Sequence, residues 1–150
     1  MLPKREGSPA QVKDSSIDAK INPLNQQESV IETVPLMNEA VKSLYNLAQQ
    51  NYQKNQFKKA ISQLQRAYRI QVNSPEVTQL IAEINLHQGD AKQAHYWATI
   101  STQNSPAKGK VCEKSWRILA IAAQMLGYDA NQALALEKKE QCVVKAPPRY

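Results

Sequence analysis

The sequence predicts an all-α solenoid of three helical hairpins, about six helices, preceded by a disordered N-terminal linker. Three observations carry this. Glycine is scarce, with 4 in 150 residues, while Ala, Gln, Leu and Lys are plentiful, a composition that favours helix over sheet. Residues 41–73 fall on residues 75–107 when slid forward by 34 positions. Turn signals at Asn55-Gln56, Gly89-Asp90 and Gly127 separate apolar stripes of helical period.

The register of the repeat is specific. Leu47 meets Ile81, Ala48 meets Ala82, Asn51 meets Asn85, Asn55 meets Gly89, Ala60 meets Ala94, and Ala67 meets Ser101. A period of 34 with small residues at the eighth and twentieth places resembles the tetratricopeptide repeat. Small residues let two antiparallel helices approach closely. One such hairpin cannot bury its apolar face alone, so hairpins stack.

Residues 1–35 read as a disordered linker. Pro3, Pro9, Pro23 and Pro35 punctuate a polar stretch whose apolar residues are isolated. As a coil it would span on the order of 30 Å. Helix 1A is expected from about Leu36 to Lys54, with Val41, Leu44, Leu47 and Ala48 inward. Helix 1B follows from Phe57 to about Val72, with Ala60, Ile61, Leu64, Ala67, Tyr68 and Ile70 inward.

Ser74 is placed to cap helix 2A, and Pro75 suits its first position. That helix runs to about Gln88 with Val77, Leu80, Ile81, Ile84 and Leu86 apolar, and Gly89-Asp90 ends it. Helix 2B runs from Ala91 to about Gln103, with Ala94, Trp97, Ala98 and Ile100 inward. A longer connection, 104–109, precedes helix 3A at Lys110–Leu126 and helix 3B at Ala130–Gln141. Ala133 aligns with Ala94 after an insertion of five residues. Trp97 and Trp116 are expected as core between hairpins two and three. The domain thus covers 36–142, with a frayed tail at 143–150.

The formal charge is +6 and unevenly placed. Residues 1–36 hold four basic and five acidic side chains, so the helical part carries +7. The first hairpin presents a basic face of Lys54, Lys58, Lys59, Arg66 and Arg69. Such a face is either solvated or turned to an acidic partner. Basic residues do not interleave with stacking aromatics, so nucleic acid is not expected as a partner. No apolar run reaches the roughly 18 residues a membrane span needs. Met1-Leu2-Pro3-Lys4-Arg5 is followed by polar residues rather than an apolar leader core. The chain therefore reads as cytosolic, or as a mature or trimmed chain.

Cys112 and Cys142 lie equally far from Gly127, fifteen positions on either side. In an antiparallel helix pair, residues equidistant from the turn come side by side. One reading is a disulfide in an oxidising compartment, stabilising by roughly 3–4 kcal/mol. The other is two reduced thiols in a cytosolic protein. Without a CxxC or a nearby His, zinc is not expected.

No catalytic residue, cofactor or metal site is expected. His87 ends helix 2A, where a cation suits the helix dipole, and His95 leans outward. Glu76 and Glu83 share a face of helix 2A but read as solvated charges rather than an acid/base pair. What remains is binding. In tetratricopeptide repeats the first helix of each hairpin lines a concave groove. Carried onto this chain, those positions are Lys42, Tyr45, Gln49 and Tyr52, then Gln79, Glu83 and Leu86, then Arg117, Ile121 and Gln124. Tyr45 and Tyr52 stand two turns apart. They either anchor a partner or pack on the linker or a neighbouring helix. Tyr45 and Gln49 occupy places where the chaperone-type carboxylate clamp needs Lys and Asn, so that clamp is not expected.

The stretch from Asn73 to Ala94, NSPEVTQLIAEINLHQGDAKQA, and the third hairpin, KSWRILAIAAQMLGYDANQA, are similar to the small tetratricopeptide lipoproteins of gamma-proteobacteria, of the LpoP type. The resemblance covers about 38–142. It implies an N-terminal lipid anchor at the outer membrane, a linker, and a monomeric periplasmic repeat domain. Its implied partner is a class A peptidoglycan synthase (a bifunctional penicillin-binding protein), which the family activates. Alternatives are a generic periplasmic scaffold, a pilotin-like assembly factor, or a cytosolic adaptor.

Overall fold

The computed structural model describes residues 13–23 and 34–143, and among these all regular structure is helical. The helices are α1 (Ser15–Ile21), α2 (Glu39–Gln53), α3 (Phe57–Ile70), α4 (Pro75–His87), α5 (Ala91–Asn104), α6 (Lys110–Leu126) and α7 (Asp129–Gln141). Helices α2/α3, α4/α5 and α6/α7 form three hairpins, and each hairpin packs on the next through α3 against α4 and α5 against α6. The expected solenoid is present.

The three hairpin turns share one solution. Asn55, Gly89 and Gly127 all take positive φ, at 61°, 78° and 75°. In each, the following amide reaches back five residues: Gln56 to the Asn51 carbonyl, Asp90 to Asn85 and Tyr128 to Ala123, at 2.8–2.9 Å. This left-handed closure satisfies carbonyls that the ending helix leaves free, and it suits Gly and Asn. Gly127 follows Gly89 by 38 positions, four more than the period. Three of the extra four lengthen the start of α6, which begins 17 positions before Gly127 where α4 begins 14 before Gly89, and the fourth lies in the connection, five residues at 105–109 against four at 71–74. The expected insertion of five, read from Ala133, is therefore corrected. Ala133 is exposed and Ala135 is the buried small residue of α7. Among the described residues no hairpin follows α7, so only its inner face is covered.

The aligned small residues sit where helices cross. Ala48, Ala82, Ala60, Ala94, Ala67 and Ser101 are all fully buried. Helix α4 is central and buried nearly all round, from Val77 to His87 with Gln79 half-buried. It packs against α5, α3, α6 and α1, which explains why its apolar residues do not form a single stripe. Several inward expectations are corrected at the margins. Leu47 is 46% exposed and Ile70 is 50% exposed. Asn51 and Tyr52 complete the α2 stripe instead of Leu47. Trp97 meets the edge of Tyr68 at 5.1 Å, so it joins hairpins one and two, while Trp116 packs half-buried on the core.

Helix starts also differ in detail. Asn38 caps α2 through its side-chain oxygen, 2.9 Å from the Val41 amide, so the helix begins after it rather than at Leu36. The Gln71 amide holds the lead-in by accepting from Asn38 N–H and donating to the Leu36 carbonyl. Ser74 stands at the α4 N-cap but makes no capping bond, and its buried hydroxyl oxygen has no hydrogen-bond partner. Pro75 takes the first helical position as expected.

The cysteines form a disulfide, Cys112 to Cys142, with Cα atoms 5.7 Å apart. It joins the open ends of α6 and α7. Gly109 N–H donates to the Cys142 carbonyl at 3.0 Å and Lys108 Nζ to the Gln141 carbonyl at 2.6 Å, which ties the same end to the preceding loop.

The expectation of disorder throughout 1–35 is corrected at 13–23. There α1 docks on α4 and α6, with Ile21 fully buried and Ile17 packed against the core. The rest of the expected linker, 1–12 and 24–33, and the tail beyond Val143 lie outside the described residues. No helix among the described residues is long and apolar enough to cross a membrane.

Candidate partner-binding groove

Helices α2, α4 and α6 line one concave recess, and α1 packs along it on α4 and α6. The side chains expected to line the groove divide into two sets. Lys42, Gln49 and Gln124 are exposed and Tyr45 is half-buried. Tyr52, Glu83, Leu86, Arg117 and Ile121 are buried, at 5%, 4%, 1%, 7% and 8% exposure, and Gln79 is half-buried. Within the second set, Tyr52, Gln79 and Glu83 still border the recess beside α1, together with Tyr45 and Gln49. The polar groups of this set are engaged by partners within the chain.

Glu83 is the hub. Its Oε2 accepts from the Tyr52 hydroxyl at 2.6 Å and its Oε1 pairs with Lys114 Nζ at 2.9 Å. Burial alone would raise the Glu83 carboxyl, but Lys114 and the Tyr52 hydroxyl outweigh it and hold the group below the ordinary carboxylate range. The same charge acts on the phenols. Burial and then Glu83 push Tyr52 strongly upward, and burial with Glu76 and Glu83 pushes Tyr45 up to about 12. The expectation of a solvated Glu83 is thus corrected.

Gln79 spans to the third hairpin, donating to the Val111 carbonyl at 3.0 Å and Ser115 Oγ at 2.8 Å. Ser115 also meets Ser101 Oγ at 2.6 Å. Arg117 pairs with Glu113 at 3.0 Å and donates to the Ile21 carbonyl at 2.8 Å. That last bond closes the C-terminal end of α1.

His87 closes the other end. Its side chain is fully buried, and Nδ1 accepts from the Asp14 amide at 3.0 Å. Burial lowers its pKa, so the ring is neutral and the expected cation at the end of helix 2A is corrected. With Nδ1 accepting, the proton sits on Nε2, 3.8 Å from Asp18 Oδ1. Asp18, Glu83 and His87 therefore come together, but the ring's free lone pair is already used toward Asp14. A metal on Nε2 would require the other tautomer and the loss of that bond. His95 does not lean fully outward. It is half-buried, edge-on to Tyr128 at 5.5 Å, and burial lowers its pKa too.

Beside α1 a polar recess of about 360 Å³ remains. Lys13, Tyr45, Gln49, Gln53 and Lys114 are among the residues that line it. Lys13 Nζ sits 4.0 Å above the Tyr52 ring, a cation–π contact. The residues of the expected basic face are not among those that line this recess. Lys54, Lys58, Lys59, Arg66 and Arg69 are all exposed, and the last four share one arc of α3.

Sequence reasoning missed α1 and Lys114. Asp14, whose carboxylate accepts from the Ser16 and Ile17 amides, was the available signal, with Ile17 and Ile21 one turn apart. Seven residues with two apolar positions sit below what periodicity can register.

Three stacked hairpins with small residues at their crossings and a concave inner face define a helical-repeat domain of the tetratricopeptide class, a protein-interaction architecture. No family model matches the chain, and no curated protein matches it in sequence. Among solved structures it is similar to the globular C-terminal domain of P. aeruginosa LpoP, at 28% identity and a TM-score of 0.62. The match covers 70% of this chain and 99% of that one. The LpoP-type resemblance read from the sequence is thus present in the structure.

Proposed function

We propose that this chain is a non-enzymatic periplasmic domain that activates a class A peptidoglycan synthase, held at the outer membrane by an N-terminal lipid anchor. The likeness to the LpoP domain over nearly its whole length carries the reading. The disulfide supports an oxidising compartment and weighs against a cytosolic adaptor. The inner-face carboxylate and imidazole are engaged within the chain, which supports a binding rather than a chemical role.

The mechanism is allosteric. Binding to a non-catalytic part of the synthase raises activity only if the active state is bound more tightly than the resting one. Tethering both proteins to the envelope raises effective concentration, so modest intrinsic affinity suffices. Biolayer interferometry with the purified class A synthase of the same organism tests the reading. Saturable binding is expected, and absence of binding by the folded protein would overturn it.

A further inference from the structure

Helix α1 is held by its main chain at both ends. The Asp14 N–H, which the helix leaves free, goes to His87 Nδ1 at 3.0 Å, and the Ile21 carbonyl, also left free, goes to Arg117 Nη1 at 2.8 Å. The two groups are thus spaced for a helix of about two turns, roughly 10 Å long. Between them the groove takes Ile21 completely and Ile17 in part. Its two end contacts read main-chain groups that any short helix offers. The side-chain selection comes from the two isoleucines, one turn apart, and from Asp18 facing the His87 N–H at 3.8 Å. A helix of seven residues does not persist alone in water, so α1 is helical because it is docked.

We infer that the concave face is a receptor for a two-turn helix bearing apolar residues one turn apart and an aspartate facing His87, and that residues 13–23 occupy it in cis. A partner segment of the same chemistry competes with α1 for His87 and Arg117. The groove is then closed in the resting chain and opens only to a ligand that displaces α1.

The test uses the full chain and a fluorescein-labelled peptide of residues 13–23, KDSSIDAKINP, followed by anisotropy. Ile21→Asp should release α1 and expose the groove, so this variant should bind the peptide at least tenfold more tightly than the unsubstituted chain. Adding Arg117→Ala should reduce that binding at least tenfold. Should Ile21→Asp fail to fold, the milder Ile17→Ser, at a position only partly buried, is read in its place. Equal affinity of released and unsubstituted chains, no saturable binding by a folded variant, or equal binding of a scrambled peptide would each overturn the inference. None of these results bears on whether the synthase is bound, since the synthase is not present.

Discussion

The Tyr52 hydroxyl donates to Glu83 Oε2 at 2.6 Å across 31 positions of sequence, joining the first hairpin to the second. The other oxygen of the same carboxylate pairs with Lys114 of the third hairpin at 2.9 Å. One buried side chain therefore fastens α2, α4 and α6 together beneath α1.

Removing either part of this arrangement should cost stability unequally. Tyr52→Phe loses one hydrogen bond to a charged group, about 1.5–3 kcal/mol. Glu83→Ala leaves both Lys114 and Tyr52 without their partner and should cost about 3–5 kcal/mol. Urea unfolding of the two variants measures this. Equal and small losses would mean that water replaces the carboxylate without penalty.

Acid should weaken the fold in two steps. His87 and His95 have folded pKa values below the ordinary 6.5, so the unfolded chain takes up protons first. Their contribution is complete above 6.5 and is lost as pH falls through the lowered values. Glu83, lowered from 4.5, adds a further loss as pH drops below that. The urea midpoint should therefore be lower at pH 5.5 than at pH 7.5, and His87→Gln should reduce the difference. A midpoint that is flat or rises on acidification would contradict the buried neutral state of these rings.

The repeat was legible because packing dictates it locally. Small residues recur at the crossings, and Asn55 and Gly89 fall in register because both close a left-handed turn. The cysteine pair was legible from its symmetry about Gly127. What the sequence hid was the use of the groove. Positions such as Glu83 and Arg117 fall on the inner face by register, but their partners lie 31 and 96 positions away. Helix α1 was hidden because tertiary docking, not its own periodicity, makes it helical. Leu47 was misjudged because a helix covered on one side buries a narrower stripe than the apolar residues alone mark out.

Reduction of Cys112–Cys142 should destabilise the chain by roughly 3–4 kcal/mol, the entropy of a loop closed over 30 positions. In a domain of this size that corresponds to a fall in melting temperature on the order of 10–15 °C. Melting curves with and without reductant, and of the Cys112→Ser/Cys142→Ser variant, check it. An unchanged melting temperature would mean that α7 is held by its packing on α6 alone.

The exposed basic arc is the surface we propose for the synthase. Reversing Lys58, Lys59 and Arg66 together to Glu should weaken binding at least tenfold and reduce its dependence on salt, because exposed charge acts through screened, long-range attraction. Interferometry at two salt concentrations reads both effects. Unchanged affinity would remove that surface and turn attention to the groove.

The most direct test of the account is glycan-chain polymerisation from lipid II by the purified class A synthase of the same organism, with and without this protein. A saturable rise in rate, lost on charge reversal of the basic arc, is the predicted result. An unchanged rate, with the protein shown folded by circular dichroism and bound to the synthase, would contradict the activator reading.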